Sequence, residues 1–484
     1  EIGVRLVGSE MCIRDRMCAD KRAYSLDALR GYAILTMILS ATIAFGILPG
    51  WMYHAQVPPP DHHFDPTVYG ITWVDLVFPF FLFAMGAAFP FSIGKKLAGG
   101  VSRVCLLKAA LLRGGQLTFF AIYIQHLYPW TLSSPQDSRA WLISLGGFVL
   151  LFPMFMRLPF KLPEWGHRAV KAGAFLVGAL ILVNLSYAGG REFSFGYSNI
   201  IVLVLANMAV FGSCIYILTF GKPWVCVGVL PFVMAVFLGS TTEGSWVKVL
   251  FDYTPVPWMY HFNYLKYLFI VIPGIVAGEY LQEWMRQASS SKDNRRKCVP
   301  VCLIILTLGL IVGNLCGLYA RWLLVNLCVT VLLLIFGLLL LRKGAGDYER
   351  LWKKLFYTGG YLLLLGLFFE AFEGGIRKDH STYSYYFVTS GLAFMALLFF
   401  NIMCDYYPYR KALKFLIMAG QNPMIAYVAT SLVVMPLLGL LGMTPYLELL
   451  DNNAWLGFLK GIVLTMLSAG VAVLFTRIRW FWRT

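Results

Sequence analysis

The chain reads as an all-α integral membrane protein, a polytopic bundle of about 11–14 transmembrane helices, on three grounds: composition, apolar run length and charge placement. Apolar residues make up 59% of its 484 residues and charged ones 13%, more apolar surface than a soluble core of this size can use. A bilayer core takes roughly 20 apolar residues per helix, and about fourteen runs reach or approach that length. Their centres fall near Leu39, Leu82, Leu117, Leu150, Leu176, Val204, Leu230, Ile270, Leu306, Leu333, Leu363, Phe394, Val428 and Leu464. Several are short or interrupted by glycine, which sets the lower bound.

A net charge of +16 would suit a nucleic-acid binder, yet the basic residues lie in short loops between apolar runs and form no patch on a soluble domain. They cluster at Lys95, Lys96 and Arg103; at Arg157, Lys161, Arg168 and Lys171; and at Arg286, Lys292 and Arg295 to Lys297. Further clusters are Arg342, Lys343, Arg350, Lys353 and Lys354; Arg410, Lys411 and Lys414; and Arg477, Arg479 and Arg483. Each follows an even-numbered run, so the positive-inside bias puts these loops and both termini in the cytoplasm. The loop bearing His54, His62 and His63 then lies on the opposite face, with the loops 126–138, 187–196, 240–262 and 373–383. Nucleic acid is excluded as a partner; membrane lipids are expected.

None of the ten cysteines falls in those outward loops, so no disulfide framework is expected, and the thiols read as small buried apolar groups. Residues 1–16 are polar, without an initiator Met or a signal-peptide pattern, and read as a non-native leader, with Met17 as the start. Residues 17–484 form one membrane domain: an N-terminal block to about 287, a serine-rich, basic cytoplasmic linker at 288–297, and a C-terminal block at 298–484. No internal repeat stands out, which weighs against an inverted-repeat transporter.

Ionisable residues in or beside apolar runs are the first functional candidates, because charge at the bilayer centre costs roughly 2.5–3.5 kcal/mol. Asp27 and Arg30 stand three apart at the start of the first run and can pair on one helix face. Asp75 lies just inside the second run, before Pro79, whose missing N–H loosens the helix. Three of the chain's seven histidines, His54, His62 and His63, occupy the proline-rich loop between these runs, where histidine can move a proton near neutral pH. They and the neighbouring Asp61 and Asp65 lack zinc-ligand spacing, so no metal is predicted. Arg377 and Lys378 are cations in an outward loop and suit phosphate or a carboxylated sugar. Asn263 and Lys266 before Pro273-Gly274, and Asn422 in Gly420-Gln421-Asn422-Pro423, mark helix breaks that line a pocket if they lie at membrane depth. Arg113, in the third run, either faces the same pocket or snorkels to the cytoplasmic side.

At these residues the chain resembles the heparan-alpha-glucosaminide N-acetyltransferase family and its bacterial relatives. The match rests on R-x-x-S-x-D-x-x-R-G at Arg22 to Gly31 and G-x-T-x-x-D-L-V-F-P-x-F-x-F at Gly70 to Phe83, with weaker echoes at Ile376 to Gly391 and Gly420 to Tyr427. The resemblance implies a bacterial inner-membrane acyltransferase that passes an acetyl group from cytoplasmic acetyl-CoA to a sugar or glycan outside, with a homodimer as one candidate assembly. It also implies an active histidine just before the D-L-V-F-P block, where the family reads H-A-x-W-N-G-x-T. His62 and His63 lie nearest the block and are favoured; His54, followed by Ala55, keeps the H-A pair. Asp75 would orient the base, while Arg377, Lys378 and the residues around Asn422 would bind acceptor or donor phosphates. The family's asparagine in the outer half of the first run is replaced by Ser40-Ala41-Thr42. The acyltransferase family 3 opening is also similar, but its histidine inside the first run is absent between Leu26 and Pro49. The rival classes are a transporter or flippase for a glycan or lipid precursor, in which no bond is made, and a non-catalytic partner of an envelope enzyme.

Overall fold

In the computed structural model, residues 22–157, 159–160, 163–287, 298–342, 344, 346–407 and 409–482 are described. The expected leader 1–16 and linker 288–297 lie outside them. Every described element is helical or irregular, and the protein is a polytopic helical membrane bundle. All fourteen expected centres fall in helices: α1 (Tyr24–Thr42), α2 (Trp73–Ala98), α3 (Arg103–His126), α4 (Ser138–Phe155), α5 (Glu164–Asn184), α6 (Ile200–Leu218) and α7 (Pro223–Gly239). Then come α8 (Phe262–Gln287), α9 (Cys298–Tyr319), α10 (Leu323–Leu341), α11 (Asp347–Glu373), α12 (Tyr383–Tyr406), α13 (Pro423–Leu440) and α14 (Ala454–Arg477). Twelve of these are long and apolar enough to cross a membrane. The polar-headed α1 and the 17-residue α7 complete the series.

Successive helices run up and down, so the loops sort onto two faces. One, the histidine face, gathers residues 43–72, 127–137, 185–199 and 374–382. The other carries the basic clusters and is called the basic face. Side-chain oxygens start several helices by accepting otherwise unpaired N–H groups: Ser102 from Cys105, Asp137 from Ala140, Asn199 from Val202 and Asn453 from Trp455.

Buried α12 is the hub; 89% of its apolar window is covered, against 22% for peripheral α10. Its hydroxyls repair two proline breaks. Pro79 has no N–H to give the carbonyl of Asp75 one turn back, and Tyr385 Oη donates to that oxygen at 2.9 Å. Pro273 likewise orphans the carbonyl of Phe269, and Ser390 Oγ donates to it at 3.0 Å. Water cannot do this work in a bilayer, so the neighbouring helix must.

Two apolar clusters result, one centred on α2, α8, α9, α11 and α12, the other on α3, α4, α13 and Trp482, with α1 and α6 contributing to both. The N-terminal and C-terminal blocks therefore interlock and do not pack as separate halves. The thiols depart from expectation: Cys226 and Cys404 are buried, but Cys105, Cys298, Cys316 and Cys328 are exposed, the last three on peripheral α9 and α10.

Candidate active site

The segment 43–72 is tied down before it presents anything. Tyr53 Oη donates to the Ala44 carbonyl at 2.6 Å, and the Thr72 hydroxyl donates to the Tyr53 carbonyl at 2.6 Å. The segment is then clamped to 374–382, some three hundred residues later. Gln56 bonds the backbone of Asp379 in both directions (3.1 and 2.7 Å), Gly70 N donates to the Ile376 carbonyl at 2.8 Å, and Arg377 donates to the Pro66 carbonyl at 2.9 Å.

This clamp joins His54, Asp75 and Lys378. Asp75 is 2% exposed at the head of α2, where its carboxylate takes the Thr72 amide at 2.9 Å and the Ala55 amide at 3.3 Å. Its other oxygen lies 2.7 Å from His54 Nδ1. An ionised carboxylate only accepts, so Nδ1 carries the proton and the lone pair resides on Nε2. Lys378 Nζ stands beside the ring, 3.1 Å from Nδ1 and 3.3 Å from Nε2, and 4.0 Å from the Asp75 carboxylate, supplying the countercharge that so buried an acid needs.

His54 and Lys378 open into a cavity of about 960 Å³ between the two apolar clusters. Ser40, Ala41 and Thr42 form part of its wall. Tyr267, Thr430 and Ser431 add hydroxyls, and Asp451 and Lys460, paired at 2.5 Å, stand in the same wall. Deeper, Met37, Phe78, Ile201 and Tyr427 also line a narrow apolar pocket of about 30 Å³ that reaches Pro423 and Met424, towards the basic face. Sequence reasoning missed Lys460, although a lysine inside the last apolar run was a signal that could have found it. Tyr128, also in this wall, had no such mark.

The favoured histidines are elsewhere. His62 Nε2 accepts from Gly46 N at 2.8 Å, and its ring packs against Phe45 and Tyr53 at 4.6 Å, so it braces the loop. His63 is exposed. The choice between them gives way to His54, because proximity in sequence to the D-L-V-F-P block is not proximity to its aspartate. Asp65 builds a turn: the hydroxyl (2.6 Å) and amide (2.8 Å) of Thr67 bind its carboxylate and hold it below its usual pKa. Arg377 lies over the Tyr69 ring, and Lys266 donates to the Ser381 carbonyl at 3.3 Å; both position the loop that carries Lys378. Asn263 is exposed and lines no part of the cavity.

The remaining candidates meet at the basic face. Asp27 pairs with Arg22 at 2.6 Å and with Arg30 at 3.5 Å, and Gln421 donates to it at 3.4 Å. Arg113 lies within electrostatic range of Arg30 and outside the cavity lining. Asn422 uses both ends of its amide on the chain terminus, donating to the Trp480 carbonyl at 2.7 Å and accepting from Trp482 N at 3.3 Å. It is a brace, although the next residue, Pro423, does line the narrow pocket.

Fold and site thus define a multi-pass membrane protein with a carboxylate-held histidine at the mouth of an internal cavity. A family model described as a domain of unknown function (DUF5009) matches residues 22–281, more than half of the chain, and the chain belongs to that family. No curated protein matches it. The matched stretch contains His54 and Asp75 but not Lys378.

Proposed function

We propose that this protein is a membrane acyltransferase that moves an acetyl or similar acyl group from acyl-CoA to a hydroxyl or amine of a sugar or glycan at the histidine face. The observation that carries the reading is the pairing of His54 Nδ1 with buried Asp75 at 2.7 Å on a ring that lines the cavity. Resemblance of the Arg22 to Gly31 and Gly70 to Phe83 blocks to the heparan-alpha-glucosaminide N-acetyltransferase family supports it. The basic loops support a reading in which the opposite face is cytoplasmic, in a bacterial inner membrane.

In this reading the acceptor hydroxyl or amine attacks the thioester carbonyl. Its C–O or C–N bond forms, the C–S bond breaks, His54 Nε2 takes the acceptor's proton, and that proton leaves on the CoA thiol. Asp75 fixes the tautomer and offsets the imidazolium charge. Lys378 is the cation at hand for charge developing on the thioester oxygen. His54 serves alternatively as a transient acyl carrier, which would give ping-pong kinetics. Arg30 and Arg113, on the side of the basic face, are the cations for the phosphates of the acyl-CoA; Asp27, held by two arginines, orients Arg30.

The test is acyl transfer by the protein in lipid nanodiscs from radiolabelled acetyl-CoA to a panel of amino sugars and glycans. Transfer lost in His54→Ala and retained in His62→Ala and His63→Ala is the expected result. Absence of transfer and of acetyl-CoA binding across the panel would sink the proposal in favour of a transporter or a non-catalytic partner.

A further inference from the structure

Beside the His54 cavity, on the same face, lies a second hollow of about 410 Å³ lined by His126, Thr131, Tyr187, Arg191, Glu192 and Tyr197. The short helix Pro129–Leu132 divides the two: Trp130 lines the His54 cavity and the next residue, Thr131, lines the second hollow. The hollow is built, not incidental. His126 is 1% exposed and bonds the Ile122 carbonyl through Nδ1 at 2.9 Å, which leaves Nε2 to accept from Ser194 N at 3.4 Å and pin the 191–197 loop. Its ring contacts Tyr187, Phe193 and Tyr197 at 5.2, 5.1 and 5.3 Å. Tyr197 Oη meets Thr131 Oγ1 at 3.3 Å, and Arg191 lies over the Tyr197 ring.

The chemistry of these walls selects a ligand class. Aromatic and hydroxyl-bearing side chains share the walls, and the one guanidinium is matched by one carboxylate, so an anion has no surplus charge to bind. A sugar ring, apolar on its C–H face and polar round its edge, fits such a wall. Trp130 extends it: the indole is 47% exposed and stacks on Tyr128 at 4.6 Å and 25°. Membrane-belt tryptophans face headgroups, whereas Trp130 faces the cavity.

We infer that the second hollow is a subsite for the adjoining sugar units of an oligosaccharide or polysaccharide whose terminal unit occupies the His54 cavity, with Trp130 as the stacking platform between them. This rests on the acyltransferase reading for the role of the terminal unit, but binding can be read without it.

The experiment measures binding to the full chain in nanodiscs, with no acyl donor, of mono- to hexasaccharides in neutral, glucosamine and uronate-containing series. Affinity should rise at least about tenfold from mono- to tetrasaccharide in one series, the scale of one or two added aromatic contacts. That gain should vanish in Trp130→Ala and fall in the milder Tyr197→Phe and Thr131→Val, and in these last two, which lie outside the His54 cavity, monosaccharide affinity should be unchanged. A flat ladder in all three series, or a steep one untouched by all three substitutions, overturns the subsite. Transfer to monosaccharides with a flat ladder would remove the subsite and leave the enzyme. A steep, Trp130-dependent ladder without transfer to any acceptor would remove the enzyme and leave the subsite.

Discussion

Asp75 and Asp27 are the same residue in the same kind of place, the first turn of a membrane helix beside a cation, yet their surroundings differ. At the histidine face, Asp75 holds His54 against an open cavity and its partners come from two loops. At the basic face, Asp27 is held by Arg22, Arg30 and Gln421 and lines no part of that cavity. A Cβ at Gly420 would lie 2.0 Å from the Asp27 carbonyl oxygen, and one at Gly31 would lie 2.0 Å from that of Leu416. Glycine lets α1 and the helix Lys414–Gln421 touch backbone to backbone there, which no other residue permits. An acid at a helix start thus becomes a site or a rivet according to the space its neighbours leave.

The comparison breaks most sharply through His54. His54→Ala should lower transfer by about 10²- to 10⁴-fold, the usual worth of a general base, and also lower thermal stability by about 1–3 kcal/mol through the Asp75 oxygen left without its imidazole partner. Asp75→Asn should cost activity, because its amide can still take both backbone donors on one oxygen but turns its NH₂ to His54 Nδ1 and forces the imidazole proton onto Nε2, the wrong tautomer for a base; a melting curve beside the rate constant separates this from any loss of stability. If Asp27→Asn were to cut turnover as deeply as Asp75→Asn at unchanged stability, the contrast between site and rivet would fail.

Next in size is packing. Gly31→Ala and Gly420→Ala should each destabilise by about 1–3 kcal/mol or prevent folding, as overpacking does, seen as a lower melting temperature or loss of monodisperse protein. Tyr385→Phe should cost about 1–3 kcal/mol by leaving the Asp75 carbonyl without a donor at membrane depth. Its side chain does not reach the carboxylate, so turnover at low temperature should hold. His63→Ala should change neither quantity measurably, whereas His62→Ala should loosen the loop by about 1 kcal/mol through its lost bond to Gly46.

The fold was legible because helix number depends on local apolar length, and even short α7 and polar-headed α1 left that trace. The site was only half legible. His54, Asp75 and Lys378 each stood out as a residue type in an unusual place, but their grouping did not. His62 and His63 are closer to Asp75 along the chain than His54 is, and the turn that folds His62 back onto Gly46, Phe45 and Tyr53 removes it from the site. Asn422, a helix-break asparagine that reads as a pocket ligand, is taken up by the terminal segment at Trp480 and Trp482.

Sequence by itself determined that this chain is a multi-pass helical membrane protein, which residues carry charge into it, and where prolines interrupt its helices. Each of these is set by a few consecutive side chains and their cost of transfer into lipid. Only the tertiary structure decided that His54 is the histidine at Asp75, that Lys378 joins them, and that Tyr385 and Ser390 repair the broken helices. Those choices depend on which distant loops and helices meet, and the backbone bonds between residues 43–72 and 374–382 that enforce the meeting use groups every residue carries, so no side-chain pattern announces them.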